Sequence, residues 1–182
     1  MNVLRGLAFV AGIFLSSAAI AQTPVTYSQG GTPLFTVDVP DFWAVRTGGL
    51  REITDEALGE PRLVNRVIGI RPENDEGAWM GFISPPTVST LDGGRAYLRE
   101  ISQFLVSDPT VDETWPWRVD GRSAEVIQGT GQRDGQGVNF TVVLIDLPRD
   151  RIAVAIGIIA GAEGAAFRDE INDVFNSFRV AR

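Results

Sequence analysis

The last third of the chain, Ser123 to Arg182, constrains the fold most strongly. Two apolar-rich runs, Val138–Leu147 and Ile152–Ile159, are separated only by the turn Pro148-Arg149-Asp150. An amphipathic run, Glu163–Phe178, follows after a short link. Runs of this kind are typical of buried strands, and so short a connection makes the two strands antiparallel neighbours. The stretch therefore predicts a strand, a tight turn, a second strand and a helix that packs back on the sheet.

The position of these strands in the sheet follows from their patterning. Ile152–Ile159 is almost continuously apolar, which predicts a central strand with both faces covered. Asp120-Gly121 and Asp134-Gly135 predict hairpin turns on either side of a strand at Ser123–Thr130. Thr114–Val119 precedes the first turn and contains Pro116, which cannot donate to a ladder. We therefore expect Thr114–Val119 to be an edge strand.

The first half of the mature chain supplies further strands and one helix. Four β-rich runs are separated by turn residues: Leu34–Val39, Phe42–Thr47, Leu63–Arg71 and Ala78–Ser84. The polar segment Gln22–Thr32 is interpreted as a loose lead-in, and the charged segment Arg51–Pro61 as a loop or a short surface helix. Apolar residues at helical spacing predict a helix over residues 90–106, capped by Thr90 or Asp92. Together these elements predict an α+β fold, a mostly antiparallel sheet of about six strands sandwiched by helices.

Residues 1–21 have the layout of a secretory signal peptide. Arg5 supplies a positive start, Leu7–Leu15 an apolar core, and Ala19-Ile20-Ala21 an A-x-A cleavage site. We expect cleavage after Ala21 and a periplasmic or secreted domain over residues 22–182, from a bacterium. The alternative is an uncleaved anchor.

Composition excludes several classes of function. The sequence contains no His, Cys or Lys. A zinc site, a Ser-His or Cys-His catalytic pair and a lysine Schiff base therefore have no residues from which to form. The formal charge of −7 argues against non-specific nucleic-acid binding, which needs cationic side chains. No cofactor and no metal are expected.

The order of motifs resembles the PsbP-like superfamily, which includes the extrinsic photosystem protein, a eukaryotic Ran-binding relative and bacterial envelope relatives such as DcrB. Each motif is short, but together they span nearly the whole mature chain. They are the opening Phe35–Trp43, the hairpin Val119–Ala124, the two long strands that follow it, and the ending Val174–Arg179. The resemblance implies one α/β/α sandwich domain over residues 22–182 and an adaptor or binding role rather than an enzyme. Metal sites proposed for some plant members use His and do not carry over, and neither does Ran binding.

Trp115-Pro116-Trp117-Arg118 is the predicted partner-binding site. In an extended chain residues 115 and 117 face the same side, so the rings of Trp115 and Trp117 could form one platform beside Arg118. The alternative is that both rings cover the sheet edge as ordinary core. Trp43 and Trp79 lie in or beside strand-like runs and are interpreted as core.

Other candidate sites have plain structural alternatives. Oxygen ligands for Ca²⁺ could come from Glu73, Asp75 and Glu76, but these residues lack regular ligand spacing. They are interpreted as a solvated hairpin tip. Gly129-Thr130-Gly131 does not match a phosphate-binding loop and is attributed to the hairpin. Carboxylates that could serve a glycan hydrolase are present, but nothing in the sequence pairs them: Asp55, Glu56, Glu113 and Glu125.

Three functional hypotheses follow. The first is a non-enzymatic periplasmic adaptor that engages a protein or a cell-envelope component. The others are a small carboxylate-based glycan hydrolase and a small-molecule carrier that uses the space between helix 90–106 and the sheet. A flat aromatic patch would favour the adaptor, a carboxylate-lined cleft the hydrolase, and a large apolar pocket the carrier.

Overall fold

The computed structural model describes residues 21–48, 51–54, 61–64 and 67–182, with the backbone alone at 51–54, 61–64 and Glu163. The predicted signal peptide, residues 1–21, lies outside the described residues except for Ala21. None of the helices in these ranges is long and apolar enough to cross a membrane.

Twelve strands and three helices make up the described fold. The strands are β1 (Gln22–Gln29), β2 (Thr32–Pro40), β3 (Trp43–Thr47), β4 (Arg51–Thr54), β5 (Pro61–Val64), β6 (Ile68–Pro72), β7 (Ala78–Ile83), β8 (Ser107–Val119), β9 (Arg122–Arg133), β10 (Gln136–Leu147), β11 (Arg151–Ala160) and β12 (Arg179–Val180). The helices are α1 (Leu91–Ile101), α2 (Gly161–Gly164) and α3 (Arg168–Asn176), with 3₁₀ turns at Ser102–Phe104 and Ala165–Phe167.

The main sheet has seven antiparallel strands in the order β3-β6-β7-β11-β10-β9-β8. Strand β11 is fourth of the seven, which confirms the central position predicted from its continuous apolar run. Strand β8 is at one edge, as its proline predicted. The two-residue turns Asp120-Gly121 and Asp134-Gly135 both have positive φ, the conformation that matches the twist of the strands they join.

A second sheet, in the order β1-β2-β12, covers one face of the main sheet. The prediction of a loose lead-in at Gln22–Thr32 is wrong, because Gln22–Gln29 pairs with β2 along its whole length. Tyr27 is 2% exposed, and its ring stacks on Phe35 at 4.9 Å between centroids. One buried aromatic and a ladder of hydrogen bonds therefore hold an otherwise polar segment in a strand.

The prediction of a loop or short helix at Arg51–Pro61 is also wrong at both ends of that segment. Arg51–Thr54 forms β4 and pairs antiparallel with β5, Pro61–Val64. Strand pairing supplies hydrogen bonds that the weak, charged pattern of the sequence does not reveal. Residues 55–60, with the candidate carboxylates Asp55 and Glu56, lie outside the described residues.

Two hydrophobic cores lie on opposite faces of the main sheet. One is closed by the small sheet and α3, and it contains Phe35 stacked on Phe178 at 4.6 Å. The other lies beneath α1. Alternate residues of β10 serve the two cores, so that Val142 and Leu144 face α1 while Val143 and Ile145 face α3. The result is the α+β sandwich that the sequence predicted, a mostly antiparallel sheet between helices.

Candidate functional site

Helix α1 rests on the main sheet unevenly. Thr90 caps the helix, its Oγ1 accepting a hydrogen bond from the Gly93 amide at 3.0 Å. Gly94 is the buried residue of α1, and a Cβ there would lie 3.2 Å from both Leu144 methyl groups. Glycine costs about 1 kcal/mol relative to alanine inside a helix, and here it allows close approach of the first turn to the sheet. The apolar side chains of the later turns, Leu98 and Ile101 among them, are only half-buried.

A cavity of about 410 Å³ opens where α1 stands away from the sheet. The chain segment just after α1 contributes Leu105 and Val106 to its wall, and the edge strand contributes Val111. The sheet side of the lining is apolar: Ile127, Phe140, Val142 and Ile156. Val111 is 57% exposed, so the apolar lining reaches solvent at the edge of the sheet. A volume of this size is within the range of small-molecule sites, roughly 300–1,000 Å³.

Polar groups on one side of the cavity come from α1 and β9. Arg95 Nε donates to Glu125 Oε1 at 2.7 Å, and a second guanidinium nitrogen donates to Glu125 Oε2 at 2.6 Å. Asp92 also accepts from Arg95. Glu125 is 9% exposed and is the only carboxylate among the described residues that line the cavity. The ion pair therefore joins the helix to the strand where the apolar lining ends.

The ion pair fixes the charge of both partners. Hydrogen bonding from Arg95 lowers the pKa of Glu125 against the opposing effect of burial. The same hydrogen bond raises the pKa of Arg95 above its ordinary value. Burial raises the pKa of Tyr97, on the same helix, to about 12. At neutral pH Glu125 is thus an anion already neutralised by Arg95, and Arg99 remains exposed on the same helix.

The residues predicted to form an aromatic platform lie on β8 at the sheet edge. Trp115 pairs with Val126 and Trp117 with Ala124, which places both rings on the α3 face, on the same side as expected. Trp115 is half-buried and packs against the core on that face, whereas Trp117 is 39% exposed. Arg118 donates to the Gly121 carbonyl at 3.2 Å across the hairpin turn. The two rings therefore differ in burial, and Trp117 presents the larger free surface.

The remaining sequence candidates are separated by the fold. Asp75 accepts from the Gly77 amide at 2.6 Å, and Glu76 pairs with Arg71 at 3.0 Å. Within the described ranges no three His, Cys, Asp or Glu side chains could together hold a metal ion. Glu113 lines a different pocket of about 270 Å³ with Ile171 of α3, while Glu125 lies beneath α1. The carboxylates proposed for a hydrolase thus do not meet across one cleft among the described residues.

The glycines of Gly129-Thr130-Gly131 lie inside β9, before the Asp134-Gly135 turn. A Cβ at Gly131 would lie 2.2 Å from Val106 Cγ1, and one at Gly129 would lie 2.1 Å from the Thr110 carbonyl oxygen. Because Gly129 and Gly131 have no side chains, the irregular start of β8 can lie close against β9. This segment closes one end of the cavity. Nothing in the sequence pattern distinguishes such packing glycines from turn glycines.

Comparison with known proteins identifies solved structures that have a similar fold. No protein-family model and no curated protein matches the sequence. Among solved structures, cyanobacterial PsbP (CyanoP) from Synechocystis sp. aligns over 96% of this chain and 99% of its own, with 12% identity and a TM-score of 0.52. LpqN from Mycobacterium tuberculosis, described as involved in cell envelope biogenesis, aligns over 89% and 91%, with 13% identity and a TM-score of 0.52.

A third similar structure is the Ran-binding protein Mog1p from Saccharomyces cerevisiae. It aligns over 89% of this chain and 96% of its own, with 13% identity and a TM-score of 0.50. All three have the PsbP-like fold. The resemblance predicted from the sequence motifs is confirmed at the level of architecture, and the chain has the PsbP-like fold.

Proposed function

We propose that this protein is a non-catalytic binding domain that holds a small apolar or amphipathic molecule between α1 and the main sheet. The observation that carries the proposal is the apolar cavity of about 410 Å³ beneath Leu98 and Leu105. A large apolar pocket was the feature expected to favour a carrier over an adaptor or a hydrolase. The carrier hypothesis therefore moves ahead of the adaptor hypothesis.

The chemistry of the cavity supports an amphipathic occupant. Its walls are aliphatic and aromatic, and burying apolar surface there releases about 25 cal/mol per Å². Its polar side carries Arg95, Glu125 and the exposed Arg99. Glu125 already compensates Arg95, so Arg99 is the cation left to meet a polar or anionic head group. The occupant best suited to this arrangement has an apolar body and one polar end.

The sequence contains no His, Cys or Lys, so any catalysis would have to rest on carboxylates. Glu125, the carboxylate in the cavity lining, is engaged by two guanidinium nitrogens of Arg95 and is poorly placed to act as an acid or base. We further propose that the domain works outside the cytoplasm, in the periplasm or as a secreted protein. The predicted signal peptide at residues 1–21 supports this location, and the description of LpqN as involved in cell envelope biogenesis is consistent with it.

A second candidate function is attachment to a protein or envelope partner through β8. The specific observation in its favour is the exposed ring of Trp117 on the edge strand, next to Arg118. Exposed tryptophan and arginine are enriched among residues that dominate binding energy at interfaces. Mog1p, a protein of this fold that is described as Ran-binding, supports this candidate.

The experiment that tests the carrier proposal compares two substitutions that add the same ring. Ile127→Trp fills the cavity, and Val45→Trp adds the ring at an exposed position on β3, the opposite edge strand. We expect 1-dodecanol and dodecanoate to bind the mature chain, with affinity lowered about tenfold or more by Ile127→Trp and unchanged by Val45→Trp. Equal binding by both variants, or no binding by the wild type, would show that the cavity is not a ligand site.

A further inference from the structure

A second concave surface lies at the end of the main sheet where three segments meet. The β6–β7 turn, the β9–β10 hairpin and the start of α2 enclose a groove of about 860 Å³. Its lining is more polar than that of the cavity beneath α1, and Trp79 of β7 forms part of it. We call it the Trp79 groove. The sequence predicted that Trp79 belongs to the core, and the residue does pack against the core beneath α1, but it is only half-buried and also lines this groove.

The indole of Trp79 is held from two sides. A Cβ at Gly81 would lie 2.2 Å from the indole Cη2, so the ring occupies the space that any other residue at 81 would need. A Cβ at Gly69 on the neighbouring strand would lie 3.3 Å from the indole Nε1. The guanidinium of Arg133 lies 5.2 Å from the ring centroid. The ring is therefore pre-positioned, and a ligand in the groove would not have to order it.

Charge in the Trp79 groove is nearly balanced. Arg71 pairs with Glu76 at 3.0 Å, and Arg133 lies 3.8 Å from Asp134. Asp75 adds one further carboxylate, which accepts from the Gly77 amide. Each arginine thus already has an acidic neighbour, and the three carboxylates of the lining outnumber its two arginines, so an anionic ligand gains little attraction. The lining therefore favours a neutral ligand over an anionic one.

Asn74 and Gln136 complete the recognition chemistry. Each amide side chain offers both a donor and an acceptor, which matches the dual character of hydroxyl groups. An aromatic ring supplies an apolar surface next to these polar groups. The walls are also tied together, because the Ala160 amide donates to the Gly77 carbonyl at 2.7 Å. A rigid groove with one aromatic ring and with amide groups that can both donate and accept hydrogen bonds suits a polyhydroxylated ligand.

We propose that the Trp79 groove binds a neutral saccharide. The site is separate from the cavity beneath α1 and does not depend on the function proposed for that cavity. Trp79 lies at the base of the groove, between the backbone of Gly69 and Gly81 and the guanidinium of Arg133, and a sugar would contact the part of the ring that lines the groove beside Arg133. Asn74, Gln136 and the two arginine–carboxylate pairs meet its hydroxyl groups.

The test follows the indole N–H signals of the mature, ¹⁵N-labelled protein during titration with glucose, maltotriose and glucuronate. Trp79→Phe assigns the Trp79 signal. Gln136→Ala removes a hydrogen-bonding group at an exposed position of the groove, and Gln103→Ala makes the same change at an exposed position after α1. Gln136→Ala keeps the test valid if variants of Trp79 fail to fold.

We expect a neutral sugar at millimolar concentration to shift the Trp79 signal more than glucuronate does. Gln136→Ala should weaken that binding by about tenfold, the effect of one lost hydrogen bond, and Gln103→Ala should leave it unchanged. Tighter binding of maltotriose than of glucose would extend the proposal to the end of a glycan chain. The proposal is overturned if neither neutral sugar shifts the Trp79 signal, if glucuronate binds better, or if Gln136→Ala has no effect.

Discussion

Arg95 of helix α1 and Glu125 of strand β9 form a two-point ion pair, with N–O distances of 2.7 and 2.6 Å, at the polar side of the apolar cavity. The pair joins the helix to the strand on the side where α1 stands away from the sheet. It also leaves the cavity with a compensated rather than a free carboxylate. The pair therefore sets both the position of the helix and the charge of the site.

The first prediction concerns the pH dependence that this pair gives to stability. Because the pKa of Glu125 is lowered in the folded state, its contribution is present above the pKa of an unfolded glutamate, about 4.3, and is lost as the pH falls through the lower folded value. Glu125→Gln should lower Tm at neutral pH, and the difference from wild type should shrink in acid. Thermal melts from neutral to acidic pH measure this, with the exposed Glu113→Gln as the charge control. A difference that stays constant in acid would contradict the role given to the pair.

The second prediction concerns how closely α1 packs on the sheet at Gly94. Gly94→Val should destabilise the fold by about 1–3 kcal/mol, because a larger side chain meets the Leu144 methyl groups and Ile152. Ala96→Val introduces the same side chain at a half-buried position of the same helix, where it lowers helix propensity instead of raising it as Gly94→Val does, and should still cost less. Chemical denaturation of the two variants measures the difference. Equal losses in the free energy of unfolding would mean that the close packing at Gly94 does not contribute to stability.

The third prediction concerns Ser177, which joins the end of α3 to β2. Its hydroxyl donates to the Val174 carbonyl at 2.7 Å and accepts from the Asp38 amide at 2.9 Å, and the residue is buried. Ser177→Ala leaves the half-buried Asp38 amide without this acceptor and should cost about 1–3 kcal/mol. The exposed Ser123→Ala should stay within about 0.5 kcal/mol of wild type in the same denaturation experiment.

The fourth prediction separates the two tryptophans of β8. Trp115→Ala removes a half-buried ring that packs on the core and should destabilise the fold more than Trp117→Ala, whose ring is 39% exposed. If β8 binds a partner, Trp117→Ala should abolish capture of that partner while Tm changes little. A crosslinked pull-down from envelope extract, with chemistry that does not depend on lysine, reads out the second effect. Loss of stability without loss of a partner would assign both rings to the edge of the core.

Much of the fold could be predicted because local patterns and long-range packing agree. The continuous apolar run of Ile152–Ile159 marked the centre of the sheet, and Asp-Gly pairs marked two hairpins. Gln22–Gln29 was missed because its place in a strand depends on pairing with β2 and on one buried tyrosine, neither of which makes a periodic signal. The same holds for Arg51–Thr54, where pairing overrides a charged and weakly patterned sequence.

The candidate sites were less accessible to sequence analysis than the fold. The space beneath helix 90–106 could be predicted because the helix has one apolar stripe. The size of that space depends on how closely Gly94 lets the first turn of the helix approach the sheet. The Trp79 groove was missed because it joins residues 71–79, 133–137 and 158–162, which only the fold brings together. A tryptophan with glycine two residues away on either side was the one local sign.

The most direct test of the central claim is a methyl NMR titration of the mature protein with 1-dodecanol. Strand β10 provides an internal control, because Val142 and Leu144 face α1 whereas Val143 and Ile145 face α3. The carrier account predicts saturable shifts at Val142, Ile156 and Leu98, with the methyl groups of Val143 and Ile145 nearly unchanged. Shifts spread equally over both faces, or no shift at the cavity methyl groups, would contradict it.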